Sequence, residues 1–135
     1  MQACINWRYK FGGGGAENMT DDDAWKAITW QFKVWELNDE QAADLLGISL
    51  EDWSSIQSGD HEGIHKAEVE QHADALLRIH AALRVILMEP RCNGWVHRSN
   101  DAEMFGGETA LSFMIAGGLP AIDRVARYLE AELAL

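Results

Sequence analysis

The chain has 135 residues, one domain's worth of length, and carries 22 acidic against 11 basic side chains, for a formal net charge of -11 at pH 7. That balance favours a basic protein partner and works against unaided binding to a polyanion such as DNA. Two cysteines, Cys4 and Cys92, stand far apart without metal-ligand spacing, and no apolar run approaches the roughly 20 residues of a membrane span. The start also lacks the apolar core of a signal peptide, so a soluble, cytoplasmic protein without a membrane partner is expected.

Residues 1–18 end in "FGGGGAEN", a glycine run with no periodic pattern behind it, and read as a flexible tail; Met19 offers an alternative start. Asp21, Asp22 and Asp23 then place negative charge where a helix N-terminus favours it, and Trp25, Ile28, Phe32 and Trp35 recur on one face. A first helix is expected over about 22–37. In "LNDEQAADLLGISLEDWSSIQSG", Asn38 is placed to cap a short helix with Gln41 three residues on, Ala42, Leu45 and Leu46 form its apolar side, and Gly47 ends it. Ser49 is a second N-cap with Asp52 three residues later, and Ile48 and Trp53 take the staple positions around it. Two short capped helices around a glycine turn predict a helix-turn-helix unit within a region spanning 19–65.

A longer helix is expected over about 66–88, with an apolar stripe of Val69, Ala73, Leu76, Leu77, Leu83 and Leu87 flanked by His72 and His80, and Pro90 stops it. After 66–90 comes a last region, 91–135, which opens irregularly. A short helix over about 110–116, capped by Thr109 and closed by Gly117 and Gly118, leads to a final helix from Pro120 with Ile122, Val125, Ala126 and Leu129 on one face. No strand pattern survives inspection, and the expected fold is all-α.

The order of these parts resembles the Xre/MbcA/ParS family of type II antitoxins. The residues that carry the likeness are Gln41-Ala42-Ala43, Leu45-Leu46-Gly47 and Ser49 in the first half, then Trp95, Asn100, Phe105, Gly107, Thr109, Leu111 and Gly117, over roughly 37–129. The resemblance implies an antitoxin for a cognate toxin, often of the NAD-destroying RES class. Its C-terminal part would cover the toxin and plug the NAD pocket, while its N-terminal half forms a homodimer and binds operator DNA. It implies toxin contacts at Trp95, His97, Asn100, Phe105, Gly107, Thr109 and Met114, with Arg124, Arg127, Tyr128, Glu130 and Leu135 approaching the pocket. Glu130, Glu132 and the terminal carboxylate would then stand where NAD phosphates sit, pairing with toxin arginines, and removal of everything beyond Ala126 should abolish neutralisation. The chain departs from the family pattern at Ala110, where a proline is usual, and in "RYLEAELAL", which lacks a glycine after the last helix.

The glycine pairs on either side of residues 110–116 permit sharp turns, which leads us to expect Phe105, Phe113 or Met114 to face outward. Six tryptophans and 47% apolar residues are generous for so small a chain, and some of that area should remain exposed as an interface. The helix-turn-helix is a poor match to DNA. No lysine or arginine lies between Lys33 and Lys66, while Glu36, Asp39, Glu40, Asp44, Glu51, Asp52, Asp60 and Glu62 do. Only Ser54, Ser55 and Gln57 are placed to read base edges, and phosphate contacts would have to come from Arg78, Arg84, Arg91 or the toxin. A helix-turn-helix transcriptional regulator without a toxin partner is the alternative.

"HEGIH", His61 to His65, satisfies the zinc-peptidase pattern formally, but Gly63 sits inside it and the segment reads as a loop. Asp21 to Asp23 lack the spacing of a calcium loop. With no phosphate loop, dinucleotide fingerprint or catalytic triad, neither catalysis, metal nor cofactor is expected.

Overall fold

The structure, a computed structural model, describes residues 21–64 and 67–134. The expected tail at 1–18, Met19, His65, Lys66 and Leu135 lie outside the described residues. Within them the fold is all-α. Helix α1 spans Asp21–Val34, α2 Asp39–Leu46, α3 Leu50–Gln57, α4 Ala67–Ile86 and α5 Ala110–Leu133, with single 3-10 segments at Glu62–Ile64 and Arg91–His97.

Local chemistry sets most of these limits. Asn38 Oδ1 accepts the Gln41 N–H at 2.8 Å, and Gln41 Oε1 accepts the Asn38 N–H at 3.0 Å, a reciprocal capping box on α2. Gly47 closes that helix at φ 69°, and Ser49 Oγ accepts the Asp52 N–H at 3.1 Å to open α3. Helix α1 is shorter than the expected 22–37, because Glu36 takes a left-handed φ of 55° and the Leu37 N–H turns back to the Phe32 carbonyl at 3.1 Å. The long helix likewise ends early, since Met88 adopts φ 62°.

One feature of α5 separates its two arms. Gly118 has φ 68° and ψ -154°, outside helical values, so the helix breaks where the glycine pair predicts. A Cβ on Gly117 would stand 2.5 Å from the Ala121 Cβ, a separation real side chains do not tolerate. The pair therefore supplies both the bend and the closeness of the arms.

Helix α4 is the centre of the molecule. Its expected stripe is buried as far as Leu83, but Ala75, Ile79 and Ala82 are buried too, and so are the polar residues Glu70, His72, Asp74 and His80. A single-stripe reading is thus corrected: α1, α2, α5 and the Arg91–His97 segment all pack around it. The histidines do not flank the core; they lie in it. His72 Nδ1 donates to the Glu68 carbonyl at 2.7 Å. Trp35 Nε1–H donates to His80 Nδ1 at 3.2 Å, and Gln31 Nε2 donates to the Leu76 carbonyl at 2.9 Å, tying α1 to α4.

His80 is 1% exposed, and the Trp35 bond requires its Nδ1 to be unprotonated. Burial, with the Arg84 cation second, lowers its pKa from 6.5 to about 4. Above pH 6.5 the folded and unfolded chains are both neutral here; between 6.5 and about 4 only the unfolded chain gains the proton. Stability should therefore fall as the pH falls through that window, by about 1.4 kcal/mol per unit, reaching ~2 kcal/mol near pH 5. Urea midpoints measured from neutral pH down to that point should show the slope in the native chain and lose it in His80→Gln; equal slopes would remove His80 as the cause.

Candidate functional site

Of the residues that carry the family resemblance in the second half, Asn100, Phe105, Gly107 and Thr109 fall in one loop, Trp95 on the 3-10 segment before it, and Leu111 and Gly117 on α5 after it. After the Arg91–His97 segment the chain pairs with itself. The Asn100 N–H donates to the Glu108 carbonyl at 3.0 Å, the Gly107 N–H donates to the Asn100 carbonyl at 3.0 Å, and Ser99 bridges Thr109. Asn100 Oδ1 accepts the Ala102 N–H at 2.9 Å and turns the chain outward. Gly106 and Gly107 return it at φ 58° and 88°, values that favour glycine at both positions. Thr109 Oγ1 then accepts the Ser112 N–H at 3.0 Å and opens α5.

Phe105 anchors this loop. It is 2% exposed, and three rings meet it edge to face: Trp95 at 6.0 Å, Phe113 at 5.3 Å and Tyr128 at 6.0 Å between centroids. The expectation that Phe105 and Met114 face a partner is therefore corrected. Both are core residues, Met114 at 0% exposure, because a ring or thioether enclosed by aromatic and aliphatic neighbours gains more inside than on a surface. What the loop leaves half-buried is Trp95, Met104 and Phe113, with the Arg124 guanidinium 5.6 Å from the Phe113 ring centre. Asp101, Glu103 and Glu108 stand exposed along its rim. Sequence reasoning passed over these carboxylates, since nothing periodic marks them.

His97 is exposed, and its Nε2 donates to the Trp35 carbonyl, so one ring nitrogen fastens this segment to the residue that follows α1. Glu130 is held by Arg78 on α4, whose Nε donates to Oε2 at 3.1 Å while Nη2 contacts Oε1. Arg78 also lies 3.6 Å from Asp123 and 4.0 Å from Asp74, and the Glu130 bond, outweighing burial, raises its pKa. A carboxylate engaged in this way is not available to a toxin arginine. Arg127 is exposed and pairs with Asp123 at 2.9 Å, Arg124 is exposed, and Tyr128 is half-buried against Phe105. Asn100 and Thr109 are half-buried and Gly107 is exposed, all within the loop's own pairing.

In the first half, Ser54 and Gln57 are exposed and Ser55 is half-buried on α3, behind an acidic first turn of Glu51 and Asp52. Trp53 Nε1 donates to Asp39 Oδ1 at 3.1 Å and locks α3 to α2. Of the "HEGIH" stretch, Glu62–Ile64 forms one 3-10 turn, and His61 Nε2 lies 3.2 Å from Asp22 Oδ1. Lys26 first, then His61, holds the Asp22 carboxyl below the usual range. Among the described residues no three His, Cys, Asp or Glu side chains gather as metal ligands, and no helix is long and apolar enough to cross a membrane.

A protein of Sinorhizobium fredii, "Uncharacterized protein y4oB", is 35% identical to this chain over 71 residues, which is 52% of this chain and 54% of that protein. The chain thus spans about half the length of the curated relative it matches. No family model and no solved structure matches it.

Proposed function

We propose that this chain is a non-enzymatic antitoxin that neutralises a RES-like, NAD-degrading toxin by binding over its active site. The observation that supports the reading most is the loop of residues 100–108. Its three carboxylates, Asp101, Glu103 and Glu108, are exposed, and Trp95 and Phe113, both packed edge to face on the loop's own Phe105, are half-buried. An apolar floor with an acidic rim complements a basic cleft built for a dinucleotide. Beyond the buried Leu129, the last described turn from Ala131 to Ala134 is exposed at every position, so Glu132 and Leu133 are free to enter that cleft in the place first expected of Glu130. Self-association of the chain belongs to the same proposal.

The experiment is co-expression with a RES-like toxin encoded beside this gene, reading growth, cellular NAD and co-purification. Cutting after Ala126 would be a poor test, because it removes the core residue Leu129 and the partner of Arg78. A chain cut after Glu130 keeps both. It is expected to retain helical circular dichroism and lose neutralisation. Full neutralisation by that chain would refute the role of the last turn, and failure of the intact chain to bind such a toxin would refute the function. A second reading, an operator-binding regulator, rests on exposed Ser54 and Gln57. It requires a mobility shift whose affinity falls steeply with salt.

A further inference from the structure

The end of α4 has a chemistry found nowhere else on the described surface. Val85, Ile86 and Met88 are 68%, 39% and 70% exposed. Arg84, Arg91 and Arg98 are exposed in the same stretch, and Glu89, the one carboxylate between residues 84 and 98, lies 3.3 Å from Arg84 Nε, so the stretch keeps a positive balance. The fold enforces this display: Met88 is held at φ 62° with its carbonyl accepting the Cys92 N–H at 3.0 Å. A left-handed backbone costs a bulky residue of order 1 kcal/mol, and here, as at Glu36, it ends a helix. Neighbouring exposed apolar side chains likewise mark an interaction surface.

A surface of opposite character lies on α2 and α3. A notch of about 520 Å³ is lined by Asp39, Glu40, Leu50, Trp53 and Gln57, among others, and Leu50 is 51% exposed within it. This part of the chain has eight carboxylates and no lysine or arginine between residues 33 and 66. None of the residues from 84 to 98 lines the notch, so the occupant comes from elsewhere.

We propose that a second copy of this chain seats its Val85, Ile86 and Met88 knuckle in the notch, head to tail, with Arg84 and Arg91 facing Glu40 and Glu51. Charge selects this occupant. Two molecules of net charge -11 repel one another over most of their surfaces, and this pairing sets the arginine-bearing end of one against the most acidic stretch of the other. Each side has its own apolar centre, Met88 on one and Leu50 on the other. Because two different surfaces meet, each pair of copies retains one free knuckle and one free notch, and the chain of contacts closes as a ring or continues.

The test needs no toxin. Sedimentation velocity on the intact chain, from low micromolar to millimolar concentration, should show the average mass at least doubling. Met88→Asp and Leu50→Asp both alter exposed positions, and circular dichroism should confirm their folds. Each alone should stay monomeric. Mixed in equal amounts they should form a dimer of one copy each, since Met88→Asp keeps its notch and Leu50→Asp keeps its knuckle. The proposal is overturned by an intact chain that stays monomeric, by self-association that survives either substitution, or by a mixture that remains monomeric, as a symmetric knuckle-to-knuckle dimer would.

Discussion

Replacing Phe105 by alanine should destabilise the folded chain by about 3–5 kcal/mol, the range for removing a fully buried aromatic ring. The ring is 2% exposed and stands at the centre of Trp95, Phe113 and Tyr128, so its loss opens a cavity that three stiff neighbours cannot close. It is also the one large apolar side chain that the loop of residues 100–108 places in the core. The loop's pairing between Asn100 and Gly107 then has no anchor beneath it. Urea unfolding should show the full loss, and near-ultraviolet circular dichroism should lose the Trp95 signal first. Phe113→Ala, at a half-buried position, should cost roughly half as much. Equal costs for the two would mean that Phe105 is not the anchor.

Arg78→Met should cost about 3 kcal/mol, at the low end for breaking a buried ion pair because the carboxylates it leaves behind keep some contact with water. The Arg78 side chain is 19% exposed, against 30% for Glu130 and 32% for Asp123, and Asp74 is buried further at 10%. Methionine preserves the packing of the stem while removing the cation that three negative charges share, of which Asp123 keeps its pair with Arg127. Adding Glu130→Gln to Arg78→Met should recover part of the loss, since one of those charges goes with it. Arg78→Lys should fall between, because an ammonium cannot bind Glu130 through two nitrogens. Chemical denaturation of the three variants at neutral pH checks the order. A neutral Arg78→Met would mean that the bridge contributes nothing to stability.

The parts of this fold that are legible in the sequence are those written within three or four residues. Asn38 with Gln41, Ser49 with Asp52 and Thr109 with Ser112 are local hydrogen bonds, and a reader of the chain can place them. The break at Gly118 is legible for the same reason. Pairings over distance are not. Trp35 finds His80 across 45 positions, and Arg78 finds Glu130 across 52. Helical periodicity marks which side of α4 is greasy, but it leaves Glu70, Asp74 and His80 outside the stripe, because their burial comes from the other elements that pack around this helix. Phe105 misled for a different reason: the glycine pair after it permits a sharp turn that reads as presenting the ring outward, and the loop that this turn closes sends it inward. The likeness to the antitoxin family points to this stretch of chain, where Asn100, Gly107 and Thr109 serve the loop's own closure.

The bend at Gly117 and Gly118 separates aim from chemistry. The direction in which the last arm of α5 leaves the body is set by two residues without side chains and by the close seat of Ala121. Solvent-facing positions along that arm are under no such constraint. The face this arm shows to solvent can therefore be recoded, residue by residue, while the bearing set by the bend is kept.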